Sequence, residues 1–385
     1  MRLISLKRLR KFYVRRGRLL LKAFIARKAK VSRHRARRSI CWAAAIVVVF
    51  HFALVIAALR NPAVRDPIYG ERERAVQSRL AADRIVNAKL MMIMGTSRAG
   101  NAFHAQRMEQ MLREQTGEPI VVYNFALPGE GPITQQLYLR RLLEKGVRPD
   151  LLVIEVVHLQ YHDFGQPAEG LTMISDCVLP GEVDLVKRYG VRLEGYRDSW
   201  LRLCLNPYFE LRNTILSRFD DGLSSADVFA RWNHDSDAWG WRPIVAQQSG
   251  WKDYEANLAV ARKSFEYLVH NFKPHDGAVS ALHDMLDLCE KNGIKVMLVQ
   301  LPESSDFRSW YSPESKFTLA TLFESIADDH QVKWLDAQIW VPDGQFADGH
   351  HLLSGGATVF SERFVQEAAK PWLMSYRVNQ RESWR

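Results

Sequence analysis

The sequence predicts an α/β protein: a three-layer α/β/α domain around a mainly parallel sheet, preceded by one N-terminal transmembrane helix. Three observations carry this. Short apolar runs alternate with helix-length segments from residue 90 onward, and strands apolar on both sides belong in a parallel sheet covered on both faces. Ile40 to Leu59 is 20 residues without Asp, Glu, Lys or Arg. The formal net charge of +10 is unevenly divided. Residues 1–39 hold 16 Lys and Arg and no acid, which leaves 37 basic against 43 acidic side chains in the rest. A mildly acidic body argues against a nucleic-acid-binding core domain, and no nucleic-acid partner is expected. At 385 residues, 47% of them hydrophobic, the chain has enough apolar surface for a large core, which excludes a disordered polymer.

The four expected regions follow from this division. Residues 1–39 are a basic arm. As a helix it sets Leu6, Leu9, Phe12 and Leu20 among cations, which suits anionic lipid headgroups; a solvated topology signal is the plainer alternative. Residues 40–59, roughly 30 Å as a helix, match a bilayer core. The cations before them place the N-terminus in the cytoplasm and residues 60–385 outside it, in the periplasm of a cell with an inner membrane. The charged segment is too long and the apolar run too extended for a cleaved signal peptide, so an uncleaved signal anchor is expected. Residues 60–89 read as a linker from Pro62 to Pro67 and a charged, helix-prone stalk or first helix from Glu71 to Asn87. Residues 90–385 are the α/β domain.

Within that domain the strands are expected at Leu90 to Met94, Pro119 to Phe125, Asp150 to Leu159, Ile294 to Leu301 and Val332 to Leu335. A helix to about Glu114 follows the first strand, and one ending near Gly146 follows the second. Ala278, Ala281, Leu282, Met285 and Cys289 recur at helical spacing before Gly293, a helix stop. Ser312-Pro313 is a helix start, and a closing helix begins at Ser354. Residues 163–252 interrupt the pattern as an insertion or cap. It contains Arg231, Trp232, Trp239, Trp241 and Trp251, read first as its own small core and second as a sugar-stacking surface. Cys177 and Cys204 are expected as thiols, with a disulfide as the alternative.

In open α/β sheets the chemistry gathers at the carboxyl ends of the strands. Gly95-Thr96-Ser97 follows the first strand, Asn124 to Gly129 follows the second, and Asp348-Gly349-His350-His351-Leu352 precedes the last helix. Each alone is an ordinary turn or helix cap. A Ser after the first strand combined with Asp and His three apart before the last helix resembles the SGNH (GDSL-type) hydrolase superfamily. Ala99 at the second place after Ser97 excludes a G-x-S-x-G elbow.

The resemblance covers most of residues 90–370 apart from the insertion. It implies Ser97 as nucleophile, His351 as general base and Asp348 as the group that orients it. His351 is preferred to His350 because Leu352 and Gly356 continue the family's frame. The N–H groups of Ser97 and Gly129 would form part of the oxyanion hole. Two departures stand out. Thr96 replaces the family's Asp, as in membrane-anchored acyl-transfer branches. The segment after the third strand, Glu155 to Gln160, lacks the family's Asn, and His158 is the nearest donor. Arg98 is expected either to contact an anionic substrate group or to pair with a surface acid. His158, His162 and Asp163 lack the further ligands of a metal site, so no metal or other cofactor is expected.

A membrane-anchored domain of this kind is similar in plan to alginate O-acetyltransferases and D-alanine transfer proteins. The resemblance implies an acyltransferase that moves an acyl group, acetyl by analogy, onto a cell-envelope or exported polysaccharide. An integral-membrane O-acyltransferase would be its partner. The rivals are an SGNH esterase or lipase, which passes the acyl group to water, and a non-catalytic glycan-binding assembly factor, motivated by the missing Asn.

Overall fold

The apolar runs become strands and the intervening segments helices. A computed structural model describes residues 33–82, 88–171, 177–216, 232–233, 235–246 and 253–375. It divides into two compact units, Met1–Ile56 and Ala57–Arg385. The first helix is α1 (Arg33–Arg60). Its stretch Arg35–Arg60 holds 18 consecutive residues of mean hydropathy 2.6 and is the one helix among the described residues long and apolar enough to cross a membrane. Only 6% of its most apolar window is buried, so it is not a core helix of the α/β domain.

In chain order the second unit contains α2 (Pro62–Arg65), α3 (Pro67–Ala82), β1 (Lys89–Met94), α4 (Ser97–Ala102), α5 (Ala105–Thr116), β2 (Ile120–Asn124), α6 (Pro132–Glu144), β3 (Leu151–Glu155) and α7 (His158–Tyr161). There follow α8 (Val183–Arg188), α9 (Tyr196–Leu205), α10 (Pro207–Glu210), α11 (Arg212–Leu216), α12 (Tyr254–His270) and α13 (Asp276–Lys291). The last elements are β4 (Lys295–Gln300), α14 (Ser305–Ser309), α15 (Pro313–Asp329), β5 (Lys333–Asp336) and α16 (Ser354–Phe364). All five strands are parallel, in the order β2-β1-β3-β4-β5. The chain reverses its direction of travel between β1 and β3, and that switch point is where such sheets open a crevice for ligands.

Alternate side chains on the strands feed two cores. Met92, Met94, Tyr123, Leu152 and Leu298 pack with α3, α6, α13 and α15. Met91, Ile93, Val122, Val153 and Val299 pack with α4, α5 and α16. The expected three-layer α/β/α arrangement is therefore present, and the buried β3 runs through its centre.

Several boundaries differ from the expectation for identifiable reasons. The third strand stops at Glu155, whose carboxylate reaches across to Thr96, and α7 opens at His158. The single helix expected after β1 is two, α4 and α5. At the break, the buried amide of Asn124 donates to the carbonyls of Ala99 and Phe103 at 2.9 and 3.1 Å. Glu71 to Asn87 is not a free stalk as far as it is described. Tyr69 and Val76 of α3 are fully buried, and residues 83–87 lie outside the described residues.

The described part of the insertion packs against the α/β domain. Val186, Tyr189 and Val191 share a small core with Ile133 and Leu137 of α6. Trp232 and Trp241 are buried, and their indole N–H groups donate to the carbonyls of Ala126 and Asn101 at 3.3 and 2.8 Å. Both are core residues, the first of the two readings. Arg231 and Trp251 lie outside the described residues. Cys289 is buried in α13, and no disulfide joins half-buried Cys177 to exposed Cys204.

Candidate active site

The turn after β1 is built to present a hydroxyl. Thr96, not Ser97, is the helix N-cap: its hydroxyl accepts the Arg98 N–H at 3.2 Å and donates to Glu155 Oε2 at 2.9 Å. The Thr96 N–H donates to the same oxygen at 2.6 Å. With the capping role taken by its neighbour, the Ser97 side chain is left for other chemistry. Gly95 is required by this arrangement, since a methyl group there would lie 2.6 Å from Glu155 Cβ.

The second part comes from the loop before α16. Phe346 and Leu352 form a short bridge, and Ala347 N–H donates to the His351 carbonyl at 2.9 Å. Gly349 sits at φ +92° between them, a conformation that favours glycine. The fold brings the three expected residues together. Ser97 Oγ lies 2.9 Å from His351 Nε2, and His351 Nδ1 lies 2.8 Å from Asp348 Oδ2. Asp348 Oδ1 accepts the N–H groups of His350 and His351 at 3.1 and 2.8 Å.

The electrostatics fix the roles. Burial opposes ionisation of Asp348, but the adjacent imidazoles of His351 and His350 and the hydrogen bonds that His351 donates outweigh it. They hold the carboxyl below its ordinary range. An ionised Asp348 can only accept, so His351 Nδ1 carries the proton. Nε2 is then the acceptor for the Ser97 hydroxyl. His350 is buried against Phe307 and Phe265. Burial, then the neighbouring His351, keep its imidazole neutral well below the usual histidine range.

The loop after β2 is laced to the end of β1, with Phe125 and Leu127 N–H groups donating to the carbonyls of Ile93 and Gly95 at 2.8 and 3.0 Å. Gly129 follows at φ +70°. Among the described residues, neither the Ser97 nor the Gly129 N–H has a protein acceptor, as an anion-binding pair requires. His158 opens α7 beyond the end of β3. Its Nδ1 lies 2.7 Å from the Tyr311 hydroxyl, and its buried Nε2 has no hydrogen-bond partner among the described residues. Burial, then Arg98, keep this imidazole uncharged.

Arg98 is where the structure departs most from the expectation. Its partners are buried carboxylates, not a surface acid. Its side chain is buried, with Nη1 donating to Glu303 Oε1 at 3.0 Å and Nε 3.6 Å from Glu155 Oε1. Tyr311 also reaches Glu303 Oε1, at 3.0 Å, and Gln338 donates to Oε2 at 2.9 Å. Burial, then Arg98, dominate the Glu303 carboxyl, whose pKa ends above the ordinary value. Tyr311 has one proton to share between Glu303 and His158. Directed at His158 Nδ1, it leaves Nε2–H as a donor; directed at Glu303, it leaves Nε2 bare.

Glu155, Glu303 and Tyr311 were not among the residues singled out from sequence. Their available signal was positional: Glu155 closes the run Leu151 to Ile154, and Glu303 follows Leu301-Pro302 at the end of β4. A charge at the carboxyl end of a buried strand falls where sites form. Asp348, His350 and His351 also bring potential metal-ligand atoms within 4.8 Å of one another. Within this group Asp348 Oδ2 and His351 Nδ1 already bond each other. This donor set therefore fits a proton relay better than a cation. His162 Nδ1 accepts the Lys273 N–H at 3.4 Å and forms no metal cluster with His158 and Asp163 among the described residues.

Residues 61–176, less than half of the chain, match a family described as Protein of unknown function (DUF1574). No curated protein matches the sequence. Among solved structures, TesA aligns at 10% identity, covering 72% of this chain and 96% of that one, with a TM-score of 0.34. An acetylxylan esterase from Geobacillus stearothermophilus, solved as a catalytic mutant, aligns at 10% identity, covering 74% and 95%, with a TM-score of 0.36. The inhibitor-bound aryl esterase of M. smegmatis aligns at 13% identity, covering 73% and 99%, with a TM-score of 0.33.

Proposed function

We propose that this chain is a membrane-anchored, extracytoplasmic serine acyltransferase of SGNH type. It moves an acyl group, acetyl by analogy, through a Ser97 ester onto a hydroxyl of a cell-envelope or exported polysaccharide. The observation that carries the catalytic reading is the hydrogen-bonded series Ser97–His351–Asp348 at the carboxyl end of β1. His351 takes the Ser97 proton as Oγ attacks the acyl carbonyl, and Asp348 stabilises the resulting imidazolium. The N–H groups of Ser97 and Gly129 receive the oxyanion. His158 adds a donor in the tautomer where Tyr311 turns its proton to Nδ1. His351 then returns the proton to the leaving group, and the acceptor hydroxyl repeats the sequence on the acyl-enzyme.

Arg98 acts here as a positioning residue, tying the nucleophile turn to the ends of β3 and β4. The anchor is α1, oriented by the basic arm with its N-terminus in the cytoplasm. Buried Trp232 and Trp241 weaken the glycan-binding alternative, since neither offers an open ring face.

The test is covalent labelling of the full chain by a fluorophosphonate, expected in the wild type and lost in Ser97→Ala. The enzyme is then mixed with an acetyl-ester donor and an oligosaccharide. Acetylated sugar supports transfer, whereas free acetate with turnover makes the protein an esterase. Absence of labelling, with Ser97→Ala complementing fully in cells, removes the catalytic reading.

A further inference from the structure

We propose that the exposed face of α9 and α10 docks on the lipid surface beside the point where the chain leaves the membrane, holding the α/β domain against the bilayer. This rests on the reading of α1 as a membrane anchor, and it assigns a membrane contact to residues that take no part in the chemistry.

Three observations point there. The first is an apolar surface that none of the described residues covers. Leu201 and Leu205 lie one turn apart on α9 and are 57% and 71% exposed, and Phe209, on α10 beyond the break at Asn206, is 55% exposed. The opposite side of the same segment is already satisfied, with Trp200, Leu203 and Leu211 buried. A short helical segment that is apolar both inward and outward has surface left over after packing.

The second is charge. Arg197, Arg202 and Arg212 flank this face and are exposed. The Arg212 guanidinium lies 3.9 Å from the centre of the Phe209 ring, and Arg202 Nε is 3.7 Å from Glu210. Apolar side chains bordered by arginines are the composition of segments that lie in the headgroup layer, rings and aliphatics inward and guanidinium groups at the phosphates.

The third is chain continuity, which selects the occupant. The compact unit begins at Ala57, before α1 ends at Arg60, and Ala58 is fully buried. Arg65, in α2, donates to Ser199 Oγ and lies over the Trp200 ring at 4.8 Å. Arg65 lies five residue steps beyond Arg60, at most about 18 Å of chain. The buried side of α9 is therefore tied within that length to the end of the anchor, and its exposed apolar side lies within reach of the interface. A water-facing location would leave the apolar face uncovered at the place where lipid is nearest.

The test uses the full chain in nanodiscs containing anionic lipid, in a Cys41→Ser, Cys177→Ser, Cys204→Ser background. Single nitroxide labels are attached at Leu205→Cys, at Phe50→Cys within α1, and at Val260→Cys, an exposed control on α12. Fluorophosphonate labelling of Ser97 checks that each variant is folded. Docking predicts that the label at 205 is reached by oxygen and is at least threefold less accessible to a water-soluble nickel chelate than the label at 260. Equal nickel accessibility at 205 and 260, with the label at 50 in lipid, overturns the docking and leaves the anchor intact. Protection of 205 from both reagents also overturns it, in favour of a protein cover. A label at 50 that is open to water removes the anchor and the docking together.

Discussion

Asp348→Asn is the substitution for which the structure leaves the fewest alternatives. Asp348 Oδ1 accepts two backbone N–H groups, from His350 and His351, while Oδ2 faces His351 Nδ1 at 2.8 Å. An Asn at this position keeps its carbonyl oxygen on the two N–H groups, because turning the amide would set its NH₂ against both. The NH₂ therefore faces Nδ1, which must become an acceptor. The imidazole proton moves to Nε2, and the ring can no longer take the Ser97 proton. Loss of the correct tautomer costs about 10⁴ in rate, or about 5 kcal/mol of barrier. The assay is the second-order rate of fluorophosphonate labelling at Ser97, which needs no knowledge of the acceptor. A variant that melts normally and labels within tenfold of wild type would refute the assignment of Asp348 as the orienting group.

Further expectations concern the buried charges. Arg98→Met leaves Glu155 and Glu303 without their shared cation, and breaking a buried pair this way costs about 3–5 kcal/mol. Urea unfolding measures it, and Arg98→Met with Glu303→Gln together should recover part of the loss; strict additivity would deny the coupling. The Asp348 carboxyl is held below its unfolded value of about 3.9, so its stabilisation is complete above about pH 4 and drains as pH falls through the folded value. In unfolding curves Asp348→Asn should lack that acid limb and converge with wild type in acid. Glu130 behaves oppositely: burial, then Glu169 and Asp66, raise its carboxyl well above the ordinary range. Its contribution is lost as pH climbs above the unfolded value of about 4.3, so Glu130→Gln should gain in relative melting temperature between pH 5 and pH 9. A parallel pair of melting curves would contradict this.

What could be read from sequence was whatever depends on residues close together in the chain. Leu90 to Met94 had to be a strand buried on both faces, and Asp348 with His351 could share one turn whatever lay around them. The contacts that turn these pieces into a site span long separations. Ser97 meets His351 across 254 positions, and Arg98 meets Glu303 across 205. No local pattern encodes the second meeting, so Arg98 was assigned to a substrate or a surface acid when burial had given it two carboxylates. The break between α4 and α5 was hidden for the same reason, because the amide that stabilises it belongs to Asn124 on another strand.

The Thr at position 96 shows what such distant contacts decide. Thr96 caps α4 with its hydroxyl oxygen, and its N–H and O–H both donate to Glu155, so the turn needs an anion on β3 rather than on itself. A carboxylate at 96 would face that of Glu155 in a buried site, and like charges there cannot both ionise. Arg98, lying 3.6 Å from the remaining oxygen of Glu155, balances the charge that Thr96 cannot. Thr96 is thus coupled to Glu155 and Arg98, and Thr96→Asp alone should destabilise the turn and slow Ser97 labelling, while Thr96→Asp with Glu155→Gln should restore part of both. Failure of the double variant to recover either would mean that the Thr is held for a different reason.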